Sequence, residues 1–157
     1  GDDATTGLHK QSLQGSSRSG TIFLSGYRTC GTNCVANTWT QVWGGNDSSV
    51  GDLGTAVALD TSGNLALTGQ LYSLADLGGG LVVGNGYFIA KFNVSGNNPP
   101  LYKWAQSAGN STGLSVSFDT QNHLIAGGTY KYTVDFGGNS STAPVGTTGG
   151  FTVEYLK

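Results

Sequence analysis

Charge is scarce in this sequence. Only 10% of its 157 residues are Asp, Glu, Lys or Arg, against about 25% in an ordinary globular domain. The net charge is −2 and the seven basic residues are scattered. No patch could neutralise several phosphates, so nucleic acid is not an expected partner. The acidic residues are scattered as well, which excludes an acidic tail. No apolar run reaches the ~18 residues of a membrane span, and membrane insertion is not expected. Methionine is absent. Gly1 is therefore not an initiating residue, and the chain is expected to be a processed form or a fragment. Histidine occurs twice, as His9 and His123, and cysteine twice, as Cys30 and Cys34. A zinc site takes about four ligands, and these residues do not gather in sequence. No metal site and no cofactor are expected.

The two cysteines stand in Cys30-Gly31-Thr32-Asn33-Cys34. Gly and Asn favour the sharp turn that so small a loop needs. A disulfide closing it adds about 2 kcal/mol on the chain-entropy account and implies an oxidising compartment. Low charge and abundant Ser, Thr, Asn and Gly agree with a secreted or cell-surface location.

What the chain has in plenty is glycine, 27 residues, beside an apolar content of 37%. The apolar residues are patterned, so the glycines read as tight turns rather than low complexity. The pattern repeats. Residues 56–69, Ala-Val-Ala-Leu-Asp-Thr-Ser-Gly-Asn-Leu-Ala-Leu-Thr-Gly, align without a gap on residues 115–128, Ser-Val-Ser-Phe-Asp-Thr-Gln-Asn-His-Leu-Ile-Ala-Gly-Gly. Each stretch alternates, turns at Asp-Thr, and alternates again, which is a hairpin pattern. Asp76-Leu77-Gly78-Gly79 matches Asp135-Phe136-Gly137-Gly138, and Phe88-Ile89-Ala90-Lys91-Phe92 matches Phe151-Thr152-Val153-Glu154-Tyr155. A fainter copy precedes them. There Ile22–Gly26 resembles Leu65–Gly69, and the run ending Trp43-Gly44 resembles the run ending Trp104-Ala105. Strands are expected at 54–60, 64–72, 86–93 and 101–107, with a longer Gly-rich loop at 75–85. No segment has a helical period. Four antiparallel strands per unit of about 40 to 60 residues is a propeller-blade pattern.

These runs resemble the bacterial seven-bladed β-propeller repeat family, well over residues 52–157 and poorly over 8–51. The resemblance implies a propeller fold in a secreted or cell-surface protein and brings no catalytic residues. Only about three units fit, whereas a propeller needs roughly four to eight blades. The expected fold is all-β: antiparallel four-stranded blade-like repeats forming a partial or oligomer-completed β-propeller, with a β-sandwich or β-solenoid as the alternative. It is one domain, 1–157, with a degenerate blade at 8–51, a blade at 52–110 and an incomplete blade at 111–157. A second copy of the chain, or another protein, is the expected partner.

Candidate chemistry is thin. Asp60 and Asp119 occupy equivalent turns, where an Asx turn capping backbone amides is favoured over a calcium loop. The Asp135-Phe136-Gly137 run has no accompanying kinase motifs. Glu154 and Lys91 share a repeat position, and the swapped sign reads as a solvated face. No serine, cysteine or histidine is expected to be catalytic. Sequons at Asn46, Asn93, Asn110 and Asn139 are about the number chance provides. The aromatics are more informative, because a ring beside amides can grip a sugar. Trp39, Tyr130 and Tyr132 have no clear repeat counterpart and, with Trp104, are the candidate ligand-binding residues. Trp43 and Trp104 read as equivalent blade-packing positions. The expected function is a non-enzymatic secreted or cell-surface module, a scaffold or protein-interaction surface. The alternative is a glycan-binding lectin.

Overall fold

The computed structural model describes residues 21–44, 51–82 and 84–156. His9, Asn46 and the part of the degenerate blade before residue 21 lie outside these. The described residues form strands and turns only, in three principal antiparallel sheets. The first is a hairpin of β1 (Ile22–Gly31) and β2 (Cys34–Trp43). The central sheet holds β3 (Leu53–Leu59), β4 (Asn64–Leu71), β7 (Gly86–Asn93) and β8 (Leu101–Gly109), in the order β3-β4-β7-β8. The third holds β9 (Ser111–Phe118), β10 (Leu124–Tyr130) and β13 (Gly149–Tyr155), in the order β13-β10-β9. Two small hairpins sit between strands: β5 (Ala75–Asp76) with β6 (Leu81–Val82), and β11 (Thr133–Asp135) with β12 (Ser140–Thr142). The segment expected as a plain Gly-rich loop therefore carries a hairpin of its own. No sheet closes on itself, and no helix among the described residues is long and apolar enough to cross a membrane.

The central sheet is buried on both faces because its strands carry apolar residues at odd and even positions alike. One face sends Leu65, Leu67, Leu71, Phe88, Ala90 and Phe92 against Ile22 and Trp43 of the first sheet, with Ala75, Leu77 and Val82 closing the layer. The other sends Ala66, Tyr87 and Ile89 against Leu124, Ala126 and Tyr130 of the third sheet, with Val134 and Ala143 beside them. Three sheets thus enclose two apolar layers. The sheets approach most closely at β9, which lies against β3, β4 and β7. Thr55 Oγ1 donates to the Gly113 carbonyl at 2.7 Å across that approach.

Strand register shows how the sheets correspond. Ile22 faces Trp43, Leu65 faces Phe92, and Leu124 faces Tyr155. Four residues along, Gly26 faces Trp39, Gly69 faces Phe88, and Gly128 faces Phe151. Two sequence readings change as a result. Trp39 does have repeat counterparts, Phe88 and Phe151. Trp43 occupies the place of Phe92 on a third strand, so it is not equivalent to Trp104, which lies on the fourth strand beside Lys91. The first hairpin pairs its second-strand and third-strand equivalents directly, without flanking strands among the described residues.

Lys91 and Glu154 also part company. Lys91 is 9% exposed, with Nζ 5.6 Å from the centroid of Phe118 in the third sheet. Glu154 is exposed on the outer face of that sheet. The position is covered in the central sheet and solvated in the third, because among the described residues a further sheet packs over only the central one.

Candidate functional site

Four connections converge beside β4, β7 and β9. The Asn85 N–H donates to the Leu71 carbonyl at 2.7 Å, the Asn110 N–H to the Asn85 carbonyl at 3.1 Å, and the Lys131 N–H to the Asn110 carbonyl at 2.8 Å. This relay of backbone bonds runs from the central sheet to the third. It lines a cleft of about 250 Å³ whose walls are Gln70, Asn85, Asn110, Ser111, Thr112, Thr129, Tyr130, Lys131, Tyr132 and Thr148. The lining is amides, hydroxyls and two phenol rings, with one lysine. Thr112 Oγ1 donates to Gln70 Oε1 at 3.0 Å, which bridges the two sheets.

Backbone strain gathers here. Asn85, Asn110 and Tyr132 have φ of 76°, 57° and 62°. Asparagine tolerates the left-handed region, but a bulky aromatic there is an outlier. Tyr132 is 64% exposed. Its carbonyl accepts from the Ala143 N–H at 2.9 Å, which helps hold the turn. Tyr130 is mostly buried; its hydroxyl lies 2.7 Å from Ser141 Oγ, and its ring packs where a Cβ on Gly149 would stand.

The sequence-selected aromatics therefore separate. Tyr130 and Tyr132 meet at the cleft. Trp104 lies elsewhere, 5.4 Å from Tyr155 in a tilted ring pair, beside a mostly apolar hollow of about 450 Å³ with Ala105, Gln106 and Leu156. Trp39 is buried against Gly26 and presents no face to a ligand. Gln70, Asn85 and Thr112 were missed by sequence reasoning. Nothing distinguishes their residue types from the many other amides and hydroxyls in the chain, and only the pairing of turns brings them together.

One serine at the cleft has the spacing of a hydrolase nucleophile. Gly109-Asn110-Ser111-Thr112-Gly113 fits Gly-x-Ser-x-Gly. The context differs from that elbow, in which the serine caps a strand-to-helix turn. Here the run joins two strands, and Asn110 takes the left-handed conformation. Ser111 is buried; its Oγ donates to the Ala108 carbonyl at 2.7 Å and accepts from the Tyr87 N–H at 3.4 Å. A hydroxyl bound on both sides by backbone is a structural one.

The acidic turns are capped as the Asx reading expects. Asp60 Oδ1 accepts from the Ser62 and Asn64 N–H groups, and Asp119 Oδ1 from those of Gln121 and His123. Asp135 Oδ1 accepts from Gly137 and Gly138. The two glycine donors hold the Asp135 carboxyl below its ordinary value of 3.8. Desolvation pushes Asp60 and Asp119 upward, but their several donors outweigh it and both also sit below the ordinary value. Burial raises the Tyr87 and Tyr155 phenols, whose oxygens are 3.3 Å apart.

At the far end of the first hairpin, Cys30 and Cys34 meet at disulfide distance, with Cα atoms 5.1 Å apart. Gly31 and Asn33 supply the positive φ values that the loop requires. Comparison with known protein families, with curated proteins and with solved structures finds no match for this chain.

Proposed function

We propose that this chain is a non-enzymatic, secreted or cell-surface β-repeat module whose work is to associate: a section of propeller-like blade stacking that receives another sheet on the apolar pair which the other described residues leave uncovered on its first sheet. The carrying observation is the contrast between its two ends. The outer face of the first sheet presents Phe23 and Val42, directly paired and 59% and 40% exposed. The outer face of the third presents Ser115, Ser117, Thr152 and Glu154. The first sheet's outer face is thus an exposed aromatic–aliphatic pair beside a Ser25–Thr40 hydroxyl pair, whereas the third's is hydroxyls and a carboxylate around a half-buried Ile125. The exposed apolar pair is the feature that invites a partner. The close approach of first strands β3 and β9 supports radial packing of blades. The cysteine pair supports an oxidising compartment.

The occupant we propose for this face is a second copy of the chain. Native mass measured over a concentration series is expected to show reversible self-association. A monomer at every concentration would overturn the proposal. Robust hydrolysis that disappears on changing one carboxylate would overturn its non-enzymatic part.

A second reading, a lectin activity, is favoured by the cleft. Its neutral amides and hydroxyls beside the exposed, strained Tyr132 ring suit a polyhydroxyl ligand. On this reading Tyr132→Ala weakens binding to a neutral oligosaccharide by about tenfold or more. A glycan array blank across all sugar classes, with calcium present, removes it.

A further inference from the structure

The β9–β10 turn and the end of β13 bring three ligating side chains together. His123 Nδ1 is 3.1 Å from Asp119 Oδ2 and 3.2 Å from Glu154 Oε1. Asp119, His123 and Glu154 each offer a ligand atom within 4.8 Å of the others.

The turn alone does not require this set. The central sheet builds the same turn around Asp60, whose Oδ2 accepts from the Asn64 side chain at 2.6 Å. In the third sheet His123 stands where Asn64 stands, and Glu154 stands at the register position of Lys91. Two departures from the sister unit thus convert a capped turn into an Asp–His–Glu set. The departures do not improve hydrogen bonding. A single Nδ1 carries at most one hydrogen, and that hydrogen cannot serve two carboxylate oxygens well. A cation in its place would be attracted to both.

We infer that Asp119 Oδ2, His123 Nδ1 and Glu154 Oε1 form a binding site for a borderline divalent cation of the zinc class. The imidazole nitrogen selects against calcium and magnesium, which take oxygen ligands. Tetrahedral zinc with bonds of about 2.0–2.2 Å sets neighbouring ligand atoms about 3.3–3.6 Å apart. The nitrogen–oxygen separations here need to open by only a few tenths of an ångström. Asp119 Oδ1 remains engaged with backbone amides, so Asp119 binds through one oxygen. Glu154 is half exposed, which leaves solvent room to supply a fourth ligand. A bound ion ties the β9–β10 turn to the edge strand β13.

The test is titration of metal-stripped protein with zinc chloride by calorimetry and with cobalt(II) by visible absorption. Saturable uptake of one equivalent is expected, with the absorption of low-coordinate cobalt and a melting temperature that rises with zinc. His123→Asn installs the sister unit's residue and keeps a donor to Asp119. It is expected to leave metal-free melting nearly unchanged while zinc affinity falls by about tenfold or more. Glu154→Lys, on an exposed face, gives the same loss independently. His9→Gln leaves affinity unchanged. No saturable uptake, uptake unaltered by both site variants, or uptake lost on His9→Gln overturns the inference.

Discussion

Gly26, Gly69 and Gly128 are glycine because other atoms already occupy the place of a Cβ. On Gly128 a Cβ would meet the Thr112 carbonyl oxygen and stand 2.8 Å from the Phe151 ring; on Gly69 it would meet the Leu53 carbonyl oxygen and stand 2.9 Å from the Phe88 ring. On Gly26 it would overlap the Trp39 ring. A register irregularity accompanies each, where the neighbouring strand bulges toward the glycine. Gly128→Ala is therefore expected to destabilise the protein by about 1–3 kcal/mol, the usual range for overpacking, read as a lower urea midpoint. The capped carboxylates predict a pH dependence. Their folded pKa values lie below the ordinary 3.8. Their contribution is thus complete above about pH 4 and is lost as pH falls through the lower folded values. The urea midpoint should fall as pH drops below about 4. Asp135→Asn should flatten part of that drop, and an unchanged profile would count against the Asp135 cap. The Asx turns were legible in sequence because the partners lie two to four residues away. The Glu154–His123 meeting was not, because it depends on strand pairing across 31 positions.

Strands of the central sheet were legible almost to the residue. Expected at 54–60, 64–72, 86–93 and 101–107, they are found at Leu53–Leu59, Asn64–Leu71, Gly86–Asn93 and Leu101–Gly109. Alternation bounded by Asp-Thr-Ser-Gly and Gly-Asn turns carries that information locally. The first hairpin was read less well, because alternation does not say which strand of a unit a segment represents. The residues around Trp43 resemble those around Trp104, yet its register partner Ile22 puts Trp43 on a third strand. The same hairpin extends as β1 and β2 well beyond the apolar layer, with Tyr27 and Val35 exposed near its tip. Little packing holds that tip, so the Cys30–Cys34 link is its main restraint. Cys30→Ser with Cys34→Ser should cost at most about 2 kcal/mol, the value for so short a loop. Amide exchange should quicken near residues 27–37 and stay slow in Gly86–Asn93. Equal quickening in both regions would show that the link supports the whole stack. Two reactive thiols in unreduced, denatured protein would remove the link altogether.

At the scale of the whole chain, the packing of three sheets is one rule applied twice, since each apolar layer pairs the buried row of one sheet with that of the next. The rule would apply a third time at the outer face of the first sheet. Phe23 occupies the register place of Ala66 and Ile125, and Val42 that of Lys91 and Glu154. In the central sheet this row is covered; in the third it is a half-buried Ile125 beside an exposed carboxylate, Glu154. In the first it is neither covered by described residues nor polar. A row that a neighbouring sheet covers elsewhere in the chain, filled here with Phe and Val, fits coverage by another sheet better than lasting exposure. The paired substitution Phe23→Ser and Val42→Thr removes the apolar character while retaining residues suited to strands. Because both side chains are already exposed in the single chain, its own stability should change by less than about 0.5 kcal/mol. Association should weaken by about tenfold to a hundredfold, the scale of losing an aromatic anchor. Ser117→Ala on the opposite outer face should leave association unchanged. Sedimentation across a concentration series separates these outcomes, and equal association of the wild type and the double variant would place the contact on some other surface.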